Sequence, residues 1–256
     1  MRIGVNLGPT GDWSAMLAAA RQADAIGFDS VGFLDHYHAD KPEWPYICGW
    51  SAYGALAMAT SRIRLVPMVI DHLNYLPGVL AKEISTLSII SSGRFDLGIG
   101  AGDYFEEAHA WGLPVPPASA RIGALKETIT VLRRIWGGER VTFEGEYLHL
   151  NNAAVTPLPP TLPRMVVGAG SSRKLIHRAV EYADEINVYA DEDLIRFAHH
   201  EIETSHRPIT LSVFVWDWPE DITKELAAWE QLGVDRTFLT FWHPFDQLAY
   251  ATRFLT

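Results

Sequence analysis

Apolar residues along the chain fall into short continuous runs that alternate with longer stretches of helical period. Residues 2–7 (RIGVNL), 30–34 (SVGFL), 63–70 (IRLVPMVI) and 94–100 (RFDLGIG) read as four strands. Between them, 13–26 reads as an Ala-rich amphipathic helix ended by Gly27. Residues 50–60 form a second helix, and 77–91 a third with Pro77 near its first turn. A long helix follows around 119–136. The second half repeats the alternation more tightly, with strands at 164–169, 185–189, 209–216 and 236–241. Helices follow them at 172–183, near 192–204, at 219–232 and near 245–254. Strands this continuously apolar suit a parallel sheet covered by helices.

Eight strand–helix units in 256 residues match the size of a (β/α)8 TIM barrel, about 250 residues. An open doubly wound sheet uses the same alternation but normally has fewer strands at this length. The interval between the fourth and fifth strands is too long for one connection. It contains VTFEGEYLHL (141–150), whose Glu144-Gly145 pair between alternating residues predicts a hairpin-containing insertion. The Pro-rich stretch 156–163 is an extended lead-in to the fifth strand, so residues 1–256 read as a single barrel domain.

Composition narrows the function. Apolar residues make up 48% of the chain, enough for a sizeable core, and 21 Lys and Arg face 31 Asp and Glu, a net charge of −10. That balance argues against nucleic acid and against an anionic membrane surface, both of which need clustered positive charge. The single cysteine, Cys48, excludes an internal disulfide and a Cys-clustered zinc site. Asp12 interrupts the N-terminal apolar run before it reaches signal-peptide length, and no segment approaches a membrane span. A soluble, cytoplasmic protein acting on a small molecule is expected.

In a barrel the chemistry sits where the strands end. Asp35, His36 and His38 follow the second strand, and Asp71 and His72 the third. Gly100, Gly102, Asp103 and Glu106 follow the fourth; Gly168, Gly170, Ser171 and Ser172 the fifth. Asn187 and Tyr189 end the sixth, Trp216 and Asp217 the seventh, Trp242 and His243 the eighth. The turn GAGSSRK (168–174) is an anion signal: glycines let backbone amides approach, serines add hydroxyls, and Arg173 and Lys174 raise the potential at a helix start. The same residues also suit a plain turn with serine caps. His36 is either a proton-transfer residue or a structural histidine whose tautomer Asp35 fixes. Asp103 either donates a proton or caps the next helix, and Glu106 and Glu107 read as first-turn acids, solvated or paired with Arg121. Trp111, Trp216 and Trp242 are placed to line a cavity. With Trp218, the last two suggest an apolar or aromatic substrate.

Three strings carry a resemblance: LDHYH (34–38), the long run from Arg62 to Pro114, and VVGAGSS (166–172). They resemble the bacterial luciferase-like superfamily, and within it the branch that uses the deazaflavin coenzyme F420. The resemblance extends through 121–150 and 182–189. It implies a (β/α)8 barrel with the cofactor across the strand C-termini and its phosphate near the fifth strand. It further implies that Asp35 and His36 lie near the deazaflavin ring and that a Met68–Val69 cis peptide supports the ring. Asp103 stands where some members carry a Glu proton donor, one methylene longer. Gly168, Gly170, Ser171 and Ser172 match the phosphate loop. Tyr75 occupies a position where many relatives have Arg. Relatives form homodimers through helices near the second and third strands, which points to the apolar helix 77–91.

Three classes of function follow. The first is an F420-dependent oxidoreductase, with an FMN-dependent monooxygenase as the alternative on the same barrel. The second is a metal-dependent hydrolase built from His36, His38, His72 and Asp71, although barrel metallohydrolases usually carry their HxH pair on the first strand. The third is a non-catalytic flavin-binding protein. The metal-free oxidoreductase with F420, His36 and Asp103 handling protons, is the expectation tested below.

Overall fold

The computed structural model describes residues 1–37, 44–47 and 49–255. Strand β1 (Arg2–Leu7) leads into helix α1 (Trp13–Ile26), capped by Asp12 and stopped by Gly27 in the left-handed region. Strand β2 (Ser30–Phe33) and helix α2 (Trp50–Ala59) follow. The expected third strand is instead two short segments, β3 (Arg64–Leu65) and β4 (Ile70–Asp71). Pro67 between them has no N–H for a ladder. The carbonyls of Val66 and Pro67 press against Gly32 and Gly98, where a Cβ would sit 1.8 Å from each oxygen. The Met68–Val69 bond is cis.

Helix α3 (Pro77–Ile90), strand β5 (Leu97–Gly100) and a short helix α4 (Phe105–Ala110) precede the long helix α5 (Ala118–Trp136). Strands β6 (Val141–Glu144) and β7 (His149–Ala153) pair antiparallel between the fourth and fifth expected strands. Their connection is 145–148 and not a two-residue turn, because the Glu127 carboxylate gathers the backbone N–H groups of Glu146, Tyr147 and Leu148. The remaining elements are β8 (Met165–Gly170), α6 (Arg173–Ala179), β9 (Glu185–Tyr189), α7 (Glu192–Ser205), β10 (Thr210–Val215), α8 (Ile222–Gln231), β11 (Arg236–Phe241) and α9 (Gln247–Ala251). Several expected ends move by one to four residues as caps such as Ser172, Asp191 and Asp221 set the helix starts.

Nine strand segments form one curled parallel sheet in the order β3-β2-β1-β11-β10-β9-β8-β5-β4. Residues 64–71 hydrogen-bond in both directions. Val66 and Met68 donate to β2 carbonyls, while Leu65 exchanges bonds with Arg94 and Asp96. The main apolar core lies between the sheet and the helices. A second, smaller cluster, Val66, Met68, Val166, Phe214 and Phe238, packs with Leu34 and Trp216. Among the described residues no helix is long and apolar enough to cross a membrane.

Candidate active site

A cavity of ≈ 670 Å³ lies where the strands end, within the ~300–1,000 Å³ typical of small-molecule and cofactor sites. Four members of the smaller apolar cluster, Leu34, Met68, Phe214 and Trp216, line it. Most of the residues singled out at strand ends line it too, Asp71, Tyr189 and Trp216 among them, whereas His72, Glu106, Trp111, Asp217, Trp242 and His243 do not. His36 and Asp35 come from the end of β2, Met68 and Val69 from the link between β3 and β4, and Gly100, Gly102 and Asp103 from the end of β5. Gly168, Gly170, Ser171 and Ser172 come from the end of β8, and Asn187 from β9.

Local chemistry fixes several of these. A Cβ on Gly168 would lie 2.7 Å from Val69 Cγ2, so glycine there lets the Val69 side chain sit at the cavity wall. The Ser172 hydroxyl accepts from Leu175 N at 3.2 Å and caps α6, and Ser172 N donates to Ala169 O at 2.8 Å, closing the turn. Asn187 is buried and donates its amide to Ser212 Oγ at 2.9 Å. Arg173 and Lys174 do not line the cavity. Both are exposed, and the Arg173 guanidinium stacks 4.8 Å over Phe197, so the charge expected at the turn is directed elsewhere.

His36 carries the most developed environment. Its Nδ1 meets Glu107 Oε2 at 3.1 Å, while the other Glu107 oxygen accepts the Tyr37 backbone N–H. Tyr46 and Tyr104 flank the ring, with centroids at 5.0 and 5.8 Å. Burial pulls the His36 pKa down, but the Glu107 hydrogen bond and charge, with Asp103 and Asp35, outweigh it and leave it above the ordinary 6.5. Glu107 is thus not the solvated or Arg121-paired acid expected from its position. It is buried, whereas Glu106 is exposed. Arg121 donates to the carbonyls of Ala101 and Pro116 and lies over Phe105. Nothing local distinguishes the two glutamates; the decisive partner is 71 residues away.

The other carboxylates divide. The carboxylate that fixes His36 Nδ1 is Glu107's, and Asp35, also buried, accepts from the Tyr75 hydroxyl at 2.7 Å. Asp103 is exposed at the cavity and does not cap α4, whose first residue follows Tyr104 without a side-chain cap. Asp71 has its pKa pushed up to about 6, first by burial and then by Asp103 and Asp35, against the Leu73 N–H and Arg121.

The tryptophans separate into wall and support. Trp216 lines the cavity, with Trp242 edge-on to it at 4.9 Å and Trp44 within 5.7 Å of both. Trp111 is largely exposed beside Tyr37, and Trp218 donates to Thr240 O while packing on Phe241.

Of the described residues of the metal alternative, His36 and Asp71 line the cavity and His72 does not. His36 is held by Glu107, and His72 is buried outside the cavity lining, with burial and Arg121 pushing its pKa down to about 4. His38 lies outside the described residues. Among the described residues no group of three His, Cys, Asp or Glu is placed to hold a metal ion.

A family model for the luciferase-like monooxygenases matches residues 1–207. The chain belongs to that family. An F420-dependent glucose-6-phosphate dehydrogenase from Microbacterium testaceum is 36% identical over 151 residues, covering 57% of this chain and 44% of the relative. One from Kineococcus radiotolerans is 35% identical over 157 residues, covering 59% and 45%. The aligned segments span less than half the length of these curated relatives. Among solved structures, an F420-dependent secondary alcohol dehydrogenase holding an F420–acetone adduct superposes with a TM-score of 0.87. It is 18% identical and covers 98% of this chain and 97% of its own. The F420-dependent tetrahydromethanopterin reductase of Methanopyrus kandleri gives 0.82 at 17% identity, covering 98% and 97%. The monooxygenase RslO1 of Streptomyces bottropensis gives 0.78 at 20%, covering 99% and 97%. At these identities the structures establish the fold that this luciferase-like chain shares.

Proposed function

We propose that this luciferase-like protein is an oxidoreductase that transfers hydride between F420 and a small organic alcohol or carbonyl compound. The observation that carries the proposal is the convergence of nine family-matched positions, from Asp35 and His36 through Met68, Val69 and Asp103 to the Gly168, Gly170, Ser171 and Ser172 turn, on one cavity. The F420-dependent relatives at 35–36% identity support it. Hydrogen bonding of residues 64–71 to strands on both sides supports reading the curled sheet as a closed eight-stranded barrel.

The cavity suits a long ligand with a flat ring at one end and a phosphate at the other. Met68, Val69 and Leu34 offer an apolar wall, and the Gly168–Ser172 turn offers backbone amides and hydroxyls before a helix start. When bound there, F420 supplies the hydride donor or acceptor. Met68 and Val69 would support the ring, and Gly170, Ser171 and Ser172 would hold the phosphate. Trp216, braced by Trp242 and Trp44, forms the apolar side of the substrate space. His36 takes the proton from an alcohol, or gives one to a carbonyl oxygen; an imidazole, whose ordinary titration lies near neutrality, suits both directions. Asp103 is the second proton-handling group. The exposed Met58 on α2, Leu76 just before α3, and Val79, Ile89 and Ile90 on α3 give a homodimer face in this reading.

Incubating the protein with F420 and a panel of secondary alcohols, aromatic alcohols and their ketones tests the reaction. Coenzyme reduction or reoxidation with at least one apolar member is expected. Turnover confined to FMN with oxygen would transfer the protein to the monooxygenase branch.

A further inference from the structure

Glu107 is 4% exposed, and its two carboxylate oxygens reach His36 Nδ1 and the backbone N–H of Tyr37. A carboxylate this buried is tolerated because hydrogen bonds to its charged form replace lost water. The contact ties the segment after β2 to α4, so the imidazole is fixed from the short helix that follows β5 and not by its own loop. We propose that Glu107 is a positioning residue: it keeps the neutral His36 imidazole protonated on Nδ1 and so presents Nε2 as the nitrogen that exchanges the substrate proton. The inference rests on reading His36 as the proton-handling residue.

The chemistry then has a defined sense. In alcohol oxidation the O–H proton passes to Nε2 while the hydride leaves the carbinol carbon for the cofactor. In carbonyl reduction the imidazolium returns that proton to oxygen. Oxidation therefore needs neutral His36 and rises with pH through its titration; reduction needs the charged form and falls over the same range. The groups facing His36 are Glu107 from α4, Asp103 from the β5–α4 link, Asp35 beside it, and the phenols of Tyr46 and Tyr104. Of these, Glu107 makes the direct hydrogen bond and the largest favourable contribution to the charged ring.

Two measurements test the assignment. In the first, long-range 15N–1H spectra of the cofactor-free wild type are recorded across pH, with the His36 signals identified by their loss in His36→Gln. The Nδ1–H tautomer at high pH is expected, titrating above the ordinary histidine range; the Nε2–H tautomer overturns the proposal. In the second, Glu107→Gln keeps the side-chain shape but removes the charge. Its His36 titration and the pH limb of kcat should both move to lower pH, and kcat should fall by about 10–100-fold, the scale of losing an orienting partner. An unmoved titration in a folded Glu107→Gln protein also overturns it. If that variant does not fold, the wild-type tautomer decides alone. The tautomer and titration need no cofactor, so their failure is distinguishable from failure of the F420 assignment.

Discussion

Arg236 and Glu185 meet in a bidentate ion pair in which both side chains are fully buried, with nitrogen–oxygen distances of 2.6 and 2.7 Å. The pair joins the first residues of β11 and β9, and Arg236 also reaches Asp29 just before β2 at 2.9 Å. It thus lies at the end of the sheet opposite the cavity, the end that serves stability in barrels. Arg236→Met leaves Glu185 charged and enclosed, and removing one partner of such a pair costs about 3–5 kcal/mol. A fall in Tm of roughly 10 °C is expected by thermal unfolding. A change of under ~2 °C would show that the pair contributes little.

Asp71 is predicted to limit stability at neutral pH. Its folded pKa of about 6 lies above the ordinary 3.8, so folding disfavours its charged form. The penalty is absent at pH values below the ordinary pKa, grows as pH rises towards the folded pKa, and is complete above it. Asp71→Asn retains an oxygen for the Leu73 N–H and removes the charge. It should stabilise the protein by up to about 2–3 kcal/mol near neutral pH, with the gain vanishing in acid. Equal gains at both pH values would show that the effect is not one of ionisation.

The alternation of the curled sheet was legible because eight apolar runs recur with helical stretches between them, and each became a strand or a pair of strand segments. The interruption at 66–69 was not legible from propensity: Val66 and Val69 favour strands, and only Pro67 signals a break. The structural signal is the glycine on each flanking strand, Gly32 and Gly98, each receiving a carbonyl. The glycines and serines of the 168–172 turn announced themselves because backbone approach and helix capping are local properties. Glu107 did not, because a contact 71 residues away leaves no periodic trace. Trp111 and Trp218 were misplaced for a related reason: position near a strand end does not say which way a ring packs.

The turn after β8 can be tested by charge. Ser171 lines the cavity and its side chain is exposed there. Ser171→Asp places a carboxylate where the phosphate of the cofactor would lie, and one uncompensated repulsion should weaken cofactor binding by about tenfold or more. Unchanged affinity in a titration would remove this turn from the site.

Proton transfer separates from binding in His36→Ala. Positioned acid–base groups contribute about 10²–10⁴-fold, so kcat should fall on that scale while cofactor affinity stays within a few-fold. Adding Asp103→Asn should lower the residual rate further. Full activity in the double variant would show that neither group handles the proton.

The coenzyme assignment itself is tested most directly by offering purified protein F420 and FMN separately and following each by fluorescence quenching and by the visible absorption of the retained ligand. Saturable, stoichiometric binding of F420, with FMN bound at least about tenfold more weakly, is the predicted result. Tight stoichiometric FMN with no measurable F420 binding would contradict it.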